Sequence, residues 1–591
     1  MIMSSVKYLH FLRPYLHEAR PSDKAAYARF FSVASRISSR DSQCKAGAVY
    51  YSTKRSSALQ SDVPQNNVST TAPRAVTVDG RAQKLKEYNA LQWPRMAISS
   101  SQSRIGRFLE DYKDEYSTPG TKEVTIEGRI MSIRRVGSKL AFIHIMGGYQ
   151  ELQVMVNLGK LATPQLTLEV LKNALHPLRR GDIISIKGRA IRTNTGELSL
   201  GATEMPQMLS PSLASLPDSI TNEKTIALNR PLNLLVHKSA LETSRLRSHI
   251  IRRMRDFFHE NEFIEVQTPI LADYAGGATA RPFLTSSIEF PEKELALRIA
   301  PELWLKRLVV GGHDRIFEVG PSFRNEGLDG THNPEFNMCE FYWAYSNLTE
   351  LISFTEDMLR QLVEDVEQFV RSECKVLQSP ETKLPNGRWK QVEFIPALQD
   401  KLGFEFPDLT EPDALEILIK LLQVNGHPVT WVPGVALPKL LDHLAATFLE
   451  PLSIEQPLFI VHHPACMSPL SKSFTDAATG QVVSARAELF MGGSEIANMY
   501  EEENNPFEQR RKFELQLQTR DNSTADRDEI PADVDENYIQ ALEQGLPPTG
   551  GWGCGVDRLV MLLSGVHRIS DTLSFGSLKN VVSLSQAGKS S

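Results

Sequence analysis

Charged and aromatic side chains are concentrated between residues 298 and 345, in RIAPELWLKRLVVGGHDRIFEVGPSFRNEGLDGTHNPEFNMCEFYWAY. We predict two strands here, RIFEVGPSFRNE and HNPEFNMCEFYWAY, joined by the loop GLDGT. Side chains two apart share a face of a strand, so Arg324 and Glu326 lie together on the first strand, and Phe336, Glu340 and Tyr342 on the second. Buried carboxylates are costly unless they meet cations, so the pair indicates a ligand with both anionic and cationic groups. An internally salt-bridged face is the alternative.

A second group of such residues lies in RAELFMGGSEIANMYEEE, residues 486 to 503. Asn498, Tyr500 and Glu502 alternate onto one side of a predicted strand. Glu488 and Glu495 flank two adjacent glycines, a break that would direct both carboxylates to one hard cation, for which we favour Mg²⁺. Glutamates beside such a break are often only exposed to solvent, and that alternative stays open.

Glycines precede an apolar helix near the C-terminus, in LPPTGGWGCGVDRLVMLLSG. We predict a glycine-rich turn and then a helix whose first turn holds Asp557 and Arg558. Backbone amides at the start of a helix suit a phosphate group, and Arg558 adds a positive charge beside it. The adjacent glycines of YAGGATARPF would likewise let the backbone approach a ligand closely.

The elements that must position these residues begin with a predicted small barrel. Residues 123 to 204 form five segments of alternating apolar and polar residues, EVTIEGRIMSIRR, KLAFIHIM, QELQVMV, GDIISIKGRAI and ELSLGATEM. This pattern is typical of a five-stranded oligonucleotide-binding (OB) barrel, which stacks bases on exposed aromatic rings beside cations. The residues on the expected binding face are Arg134, Arg135, Phe142 and Gln153, and Glu197 is placed to read a base edge. A core position for Phe142 and solvated arginines are the alternative.

The rest of the chain divides by composition. After a polar spacer and a short helical segment (residues 61–118), we place the barrel at residues 119–210, a proline-containing linker at 211–239 and a large domain at 240–585. The large domain opens with the amphipathic helix SALETSRLRSHIIRRMRDFFHENEF and the strand IEVQTPIL, and residues 370 to 455 form a helical insertion. The predicted fold class is therefore α+β.

The first 60 residues differ in charge from everything that follows. They contain ten lysines and arginines against three acidic residues, a net charge of +7, so the remainder carries −13 of the total of −6. Basic, Ser- and Ala-rich sequence with interspersed apolar residues is typical of an organellar transit peptide, and we predict a mitochondrial one. A basic tail that binds nucleic acid is the alternative.

Composition excludes several classes of protein. The 591 residues, 41% apolar and 23% charged, suit roughly three to four domains of about 150 residues each. The 5 cysteines form no CxxC pair, which argues against a zinc knuckle or a disulfide scaffold. No apolar run approaches the roughly 18 residues of a membrane span, and no GxxxxGK[ST] motif occurs.

Taken together, these segments resemble the class II aminoacyl-tRNA synthetases, and in particular the lysyl-tRNA synthetases, over roughly residues 85 to 575. Three segments match the family signatures in order: IEVQTPIL, then FRNEG with HNPEF, then GWGCGVDRLVML. RIAPELWLKRL, GGATARPF, CEFYWAY and ANMYEE resemble the lysine-specific pattern. The resemblance implies an anticodon-binding OB barrel, a catalytic antiparallel sheet flanked by helices, and a homodimer in the mitochondrial matrix with no membrane attachment.

The resemblance also implies a role for each residue. ATP and L-lysine would react on the enzyme and the product would be transferred to tRNA(Lys), with Arg324 and Arg558 as the catalytic residues. The lysine contacts would be Gly277, Glu302, Arg324, Glu340, Tyr342, Asn498, Tyr500 and Glu502; the ATP contacts would be Arg324, Glu326, His332, Asn333, Phe336, Glu488, Glu495, Gly555 and Arg558. Mg²⁺ would bind Glu488 and Glu495, and the anticodon would bind Arg134, Phe142, Gln153 and Glu197.

Two departures from the family pattern affect the triphosphate region. Thr331 stands where many relatives have an arginine, and the ending SFGSLKN replaces the usual FPxxRP. Aspartyl- and asparaginyl-type synthetases share this architecture, so they remain alternatives, as does a non-catalytic tRNA-binding paralogue. We expect His462 and His463 to be structural, and Cys339 and Cys554 to serve packing.

Overall fold

The computed structural model describes residues 74–96, 101–114, 122–161, 175–273, 276–277, 280–378, 384–427, 436–519 and 534–587. The predicted transit peptide and most of the connection TPQLTLEVLKNALHPL lie outside these residues. Two short helices precede the first sheet: α1 (Arg74–Glu87) and α2 (Ile105–Asp111). Within this part of the chain no helix is long and apolar enough to span a bilayer.

The first sheet is the closed barrel expected from the sequence. Its strands are β1 (Val124–Val136), β2 (Leu140–Gly147), β3 (Gln150–Asn157), β4 (Ile183–Arg192), β5 (Leu198–Ala202) and the short additional β6 (Gln207–Ser210). They pair in the order β1-β2-β3-β5-β4-β6, and β1 also pairs with β4, which closes the barrel. Alternate residues of β1 and β2 are buried, because a closed sheet turns one face of each strand inward.

The second sheet has eight strands in the order β13-β14-β17-β18-β19-β12-β11-β7. Its members are β7 (Ile264–Glu265), β11 (Arg315–Phe323), β12 (Glu335–Ala344), β13 (Lys390–Glu393), β14 (Leu458–Val461), β17 (Arg486–Met491), β18 (Ser494–Glu501) and β19 (Thr549–Gly555). The two edge strands pair in parallel and the six central strands are antiparallel. Two small sheets accompany it, formed by β8 (Leu271–Ala272), β9 (Leu284–Ser286) and β10 (Glu294–Leu297), and by β15 (Ser473–Thr475) and β16 (Val482–Ser484).

Helices cover the large sheet. They are α3 (Glu223–Leu228), α4 (Arg230–Val236), α5 (Lys238–Glu260), α6 (Glu302–Val310), α7 (Leu348–Glu373), α8 (Phe394–Leu402), α9 (Ala414–Val424), α10 (Leu437–Phe448), α11 (Pro506–Thr519), α12 (Glu536–Glu543), α13 (Val556–Ser564), α14 (Ile569–Thr572) and α15 (Leu578–Ala587). The α5 residues Leu246, Ile250 and Met254 recur every fourth position and are buried in the main core. Phe341 of β12 stacks on Trp552 of β19 there, with ring centroids 5.1 Å apart.

The predicted insertion has a core of its own. Residues of α8, α9 and α10 form a separate apolar cluster that includes Phe394, Leu418 and Leu441. Strand β13, just before α8, extends the edge of the large sheet. The segment is thus anchored to the sheet at one strand while its helices pack mainly on one another.

Three local expectations differ from the structure. The segment TGGWGCG is a central strand, β19, and not a turn. IEVQTPIL contains only the two-residue strands β7 and β8, because Pro269 lacks the N–H that a continuous ladder needs. Strand β11 ends at Phe323, so Arg324 and Glu326 lie in the loop beyond it.

Candidate active site

A cavity of about 660 Å³ lies over the central strands of the large sheet. Fifteen of the sixteen residues proposed for the amino acid, the nucleotide and the metal line it: Gly277, Glu302, Arg324, Glu326, His332, Asn333, Phe336, Glu340, Tyr342, Glu488, Glu495, Asn498, Tyr500, Gly555 and Arg558. They come from segments almost 300 residues apart, which the sheet brings together. Glu502 is the exception, and it lies beneath the cavity wall.

The register of three strands explains the shape of the cavity. Glu340 of β12 lies opposite Gly553 of β19, and Asn498 of β18 lies opposite the same glycine. One row further along, Gly551 separates Tyr342 from Tyr500 in the same way. The two glycines leave a hollow between functional side chains, and a Cβ on Gly551 would lie only 2.8 Å from the ring of Tyr342.

The inner end of the cavity is anionic. Glu340 is 4% exposed, and the hydroxyl of Tyr342 donates a hydrogen bond of 3.1 Å to its Oε2. Among the residues that the structure describes, Glu340 has no ion pair with a lysine, arginine or histidine. Burial, reinforced by the charge of Glu302, raises the pKa of Glu340 well above its usual value. A bound cation would remove this penalty.

Glu502 departs from the expectation that it lies beside Glu340 on the cavity wall. Its Oε2 is 2.8 Å from the Nζ of Lys306, and the same Nζ is 2.8 Å from Oε1 of Glu302. The other oxygen of Glu502 has no hydrogen-bond partner in the described part of the chain and lies against Gly551. The protein's own lysine therefore already holds one of the two glutamates expected to receive the substrate.

Two arginines lie at the nucleotide end. The guanidinium of Arg324 is 5.2 Å from the ring centroid of Phe336, and burial lowers its pKa. Arg558, in the first turn of α13, is 3.2 Å from the carboxylate of Glu495 and 2.6 Å from Nε2 of His332. Both cations face the cavity, where they suit the carboxylate of an amino acid and a phosphate chain.

The loop that contains Thr331 is ordered by Asp329, which the sequence did not single out. Asp329 accepts hydrogen bonds from the amides of Thr331 and His332, at 2.7 and 2.8 Å, and its other oxygen is 2.8 Å from Nδ1 of His332. These donors lower the pKa of Asp329 to about 2, against a smaller opposing effect of desolvation in their sum. Since Nδ1 of His332 donates to Asp329, its Nε2 accepts from Arg558.

Glu488 and Glu495 are near one another but have different partners. Glu488 binds Arg486 and lies 3.1 Å from His463, and although burial opposes it, these cations lower the pKa of Glu488 to about 2. Burial and the charge of Glu488 raise the pKa of Glu495. In the described ranges no three His, Cys, Asp or Glu side chains could by themselves hold a metal ion. His463, expected to be only structural, thus contacts a residue of the cavity.

The barrel brings together two pairs of the expected anticodon residues. Arg134 lies opposite Phe142, with its guanidinium 5.1 Å from the ring centroid. Gln153 donates a hydrogen bond of 2.8 Å to Glu197. Arg135 instead donates to the carbonyl of Leu175 at 3.0 Å, so this arginine holds the barrel's own backbone.

Fold and site together define an enzyme that joins a nucleotide-binding antiparallel sheet to a nucleic-acid-binding barrel. The family described as tRNA synthetases class II (D, K and N) matches residues 222–579, and the OB-fold nucleic acid binding domain matches residues 124–206. The chain belongs to the class II tRNA synthetases.

Curated relatives match across both domains. The mitochondrial lysine–tRNA ligase of Schizosaccharomyces pombe is 40% identical, over 85% of this chain and 93% of that protein. The probable cytoplasmic lysine–tRNA ligase of Enterocytozoon bieneusi is 38% identical, over 77% of this chain and 87% of that protein. The lysine–tRNA ligase of Aquifex aeolicus is 38% identical, over 78% and 74% respectively.

Proposed function

We propose that this chain is a lysine–tRNA ligase, which activates L-lysine with ATP and transfers it to the 3′ end of tRNA(Lys). The observation that carries the proposal is the inner end of the cavity, where buried Glu340 has no cationic partner in the described residues. A long side chain that ends in an ammonium group supplies that partner, whereas an aspartate side chain would add a further negative charge. The relatives named above agree in substrate.

The proposed lysine pose follows from the charges along the cavity. Glu340, Tyr342 and Glu502 receive the ε-ammonium group, and Tyr500 lies along the aliphatic stem. At the other end of the substrate, Gly277 and Glu302 take the α-ammonium group, while Arg324 and Asn498 hold the carboxylate.

In the proposed reaction the lysine carboxylate attacks the α-phosphorus of ATP and pyrophosphate leaves. Arg324 lies between the two substrates, where it neutralises the attacking carboxylate and the developing charge on phosphorus. Arg558 and His332 neutralise and position the triphosphate, and Phe336 stacks on the adenine with Glu326, Asn333 and Gly555 at its periphery. The acyl group then passes to the terminal ribose of tRNA, and no protein nucleophile takes part.

Glu488 and Glu495 fit a magnesium ion that also binds the phosphates. Mg²⁺ in nucleotide sites commonly has one or two carboxylate ligands and completes its shell with phosphate oxygens and water. The raised pKa of Glu495, caused by burial and by Glu488, fits such a cation. When bound, the ion would neutralise charge on the phosphate oxygens.

We further propose that the barrel reads the anticodon through Arg134, Phe142, Gln153 and Glu197. Phe142 is half-buried beside an exposed arginine, which suits base stacking. The proposed boundaries, with the barrel at 119–210, the linker at 211–239 and the catalytic domain at 240–585, are supported by the separate apolar cores of the two domains.

Two proposals concern assembly and location. A homodimer is supported by exposed apolar residues near the first signature, namely Leu271, Leu284, Ile288 and Phe290. A mitochondrial matrix location is supported by the basic first 60 residues and by the S. pombe relative. Light scattering that gives a monomer mass would exclude the dimer, and a cytosolic distribution of the full chain on cell fractionation would exclude the matrix.

An ATP–pyrophosphate exchange screen over the common amino acids tests the central proposal. We expect exchange with L-lysine to exceed that with aspartate or asparagine by orders of magnitude. Exchange that depends on aspartate or asparagine would establish the alternative substrate, and no exchange with any amino acid would favour a non-catalytic tRNA-binding protein.

A further inference from the structure

Lys306 is a buried lysine that the proposed reaction does not use. It lies on α6, one turn after Glu302, and its side chain is fully buried. Its Nζ is 2.8 Å from Glu302 and 2.8 Å from Glu502, and 5.3 Å from the ring centroid of Tyr538. A lysine is rarely buried unless its charge is compensated, so this position is explained by the two carboxylates on either side.

Lys306 connects two residues with separate proposed tasks. Glu302 faces the α-ammonium group of the substrate and also accepts a hydrogen bond of 2.6 Å from Tyr500. Glu502 lies below Gly551, at the end of the cavity that receives the ε-ammonium group. One cation therefore fixes the carboxylates at both ends of the amino-acid site.

Counting charges shows what this arrangement does. The amino-acid site holds three buried carboxylates, Glu302, Glu340 and Glu502, and Lys306 neutralises one of them. Two negative charges remain, and the substrate lysine brings two ammonium groups, while its carboxylate meets Arg324. The site without Lys306 would have one negative charge too many for lysine.

We propose that Lys306 is a positioning residue that determines specificity by leaving two carboxylate charges for the two ammonium groups of lysine. This inference rests on the proposed function. It predicts that loss of Lys306 and loss of the charge on Glu502 compensate each other, because the double change restores the original count.

The test compares Lys306→Met, Glu502→Gln and the double variant in lysine-dependent ATP–pyrophosphate exchange, with KM measured for lysine and for ATP. We expect each single change to raise the lysine KM at least about tenfold and to alter the ATP KM less than about twofold. Residues of one salt-bridge network couple by roughly 2- to 150-fold, so we expect the lysine KM of the double variant to be about tenfold lower than that of Lys306→Met.

A second buried pair provides the matched control. Lys512 of α11 lies 2.7 Å from Glu503, next to Glu502 in sequence, and neither residue lines the cavity. Lys512→Met, Glu503→Gln and their double variant remove a similar ion pair, and we expect them to change the melting temperature without a change in the lysine KM.

Several outcomes would overturn the inference. A lysine KM within twofold of wild type in Lys306→Met, or a double variant no better than either single variant, would show that Lys306 serves only packing. If Lys306→Met does not fold, Glu502→Gln and the double variant decide, since the double must have the lower lysine KM. Wild-type enzyme without lysine-dependent exchange would instead reject the proposed function, and this inference with it.

Discussion

Replacing Glu340 by glutamine tests the anionic end of the cavity. The substitution keeps the size of the side chain and its hydrogen bond from Tyr342 but removes the negative charge. Glu340 is 4% exposed, so the proposed ion pair with the substrate forms in a site from which water is excluded. Removal of one partner of such a buried charge pair costs about 2–5 kcal/mol, which corresponds to a decrease of roughly 30- to 4,000-fold in kcat/KM for lysine.

The fold should respond in the opposite direction. Because burial raises the pKa of Glu340, its neutral form stabilises the substrate-free fold, and this stabilisation is lost as pH rises through the raised pKa. Glutamine is neutral at every pH, so we expect the substrate-free variant to melt at the same temperature as wild type or higher at neutral pH. Thermal melts with and without lysine should also show that lysine no longer stabilises it.

The assay is lysine-dependent ATP–pyrophosphate exchange, with KM determined separately for lysine and ATP. Glu335→Gln is the matched control, since Glu335 lies on the same strand but is exposed and outside the cavity. A Glu340→Gln enzyme with a lysine kcat/KM within threefold of wild type would refute the reasoning. An equal loss for ATP and lysine would mean that the change disturbed the site as a whole.

Three further predictions concern the barrel, the buried ion pair and the triphosphate loop. Phe142→Ala should lower kcat/KM for tRNA in charging by roughly 5- to 150-fold, the value of one base–aromatic stack, and equal losses in charging and in pyrophosphate exchange would contradict this. Burial raises the pKa of Glu502 to about 8, and the substrate ammonium binds its ionised form, so the lysine KM should fall as pH rises from about 7 to about 9; a flat profile in wild type would argue against it. Asp329→Ala should raise the ATP KM about two- to tenfold because His332 loses its anchor, whereas Asp408→Ala, which removes a similar turn contact in the insertion, should not change it.

Much of the fold could be predicted because it depends on local patterns. Alternating burial in β1 and β2 follows the period of two in the sequence, and α5 buries the face that its 3.6-residue period predicts. TGGWGCG was misjudged for a physical reason: glycine is normally a turn signal, but here Gly551 is required in a central strand by the side chains of Tyr342 and Glu502. Those neighbours are more than 40 residues away in the chain, so no local rule can detect them.

The sequence by itself determined which residues carry charge and which strand faces they share, and so the chemical inventory of the site. Tertiary structure decided the partners of those charges. Whether a carboxylate is free for a substrate depends on which cation lies within about 4 Å, and that distance is set by packing between remote segments. Glu340 and Glu502 look alike in sequence, yet in the described structure the first has no cationic partner and the second binds Lys306, 196 positions away.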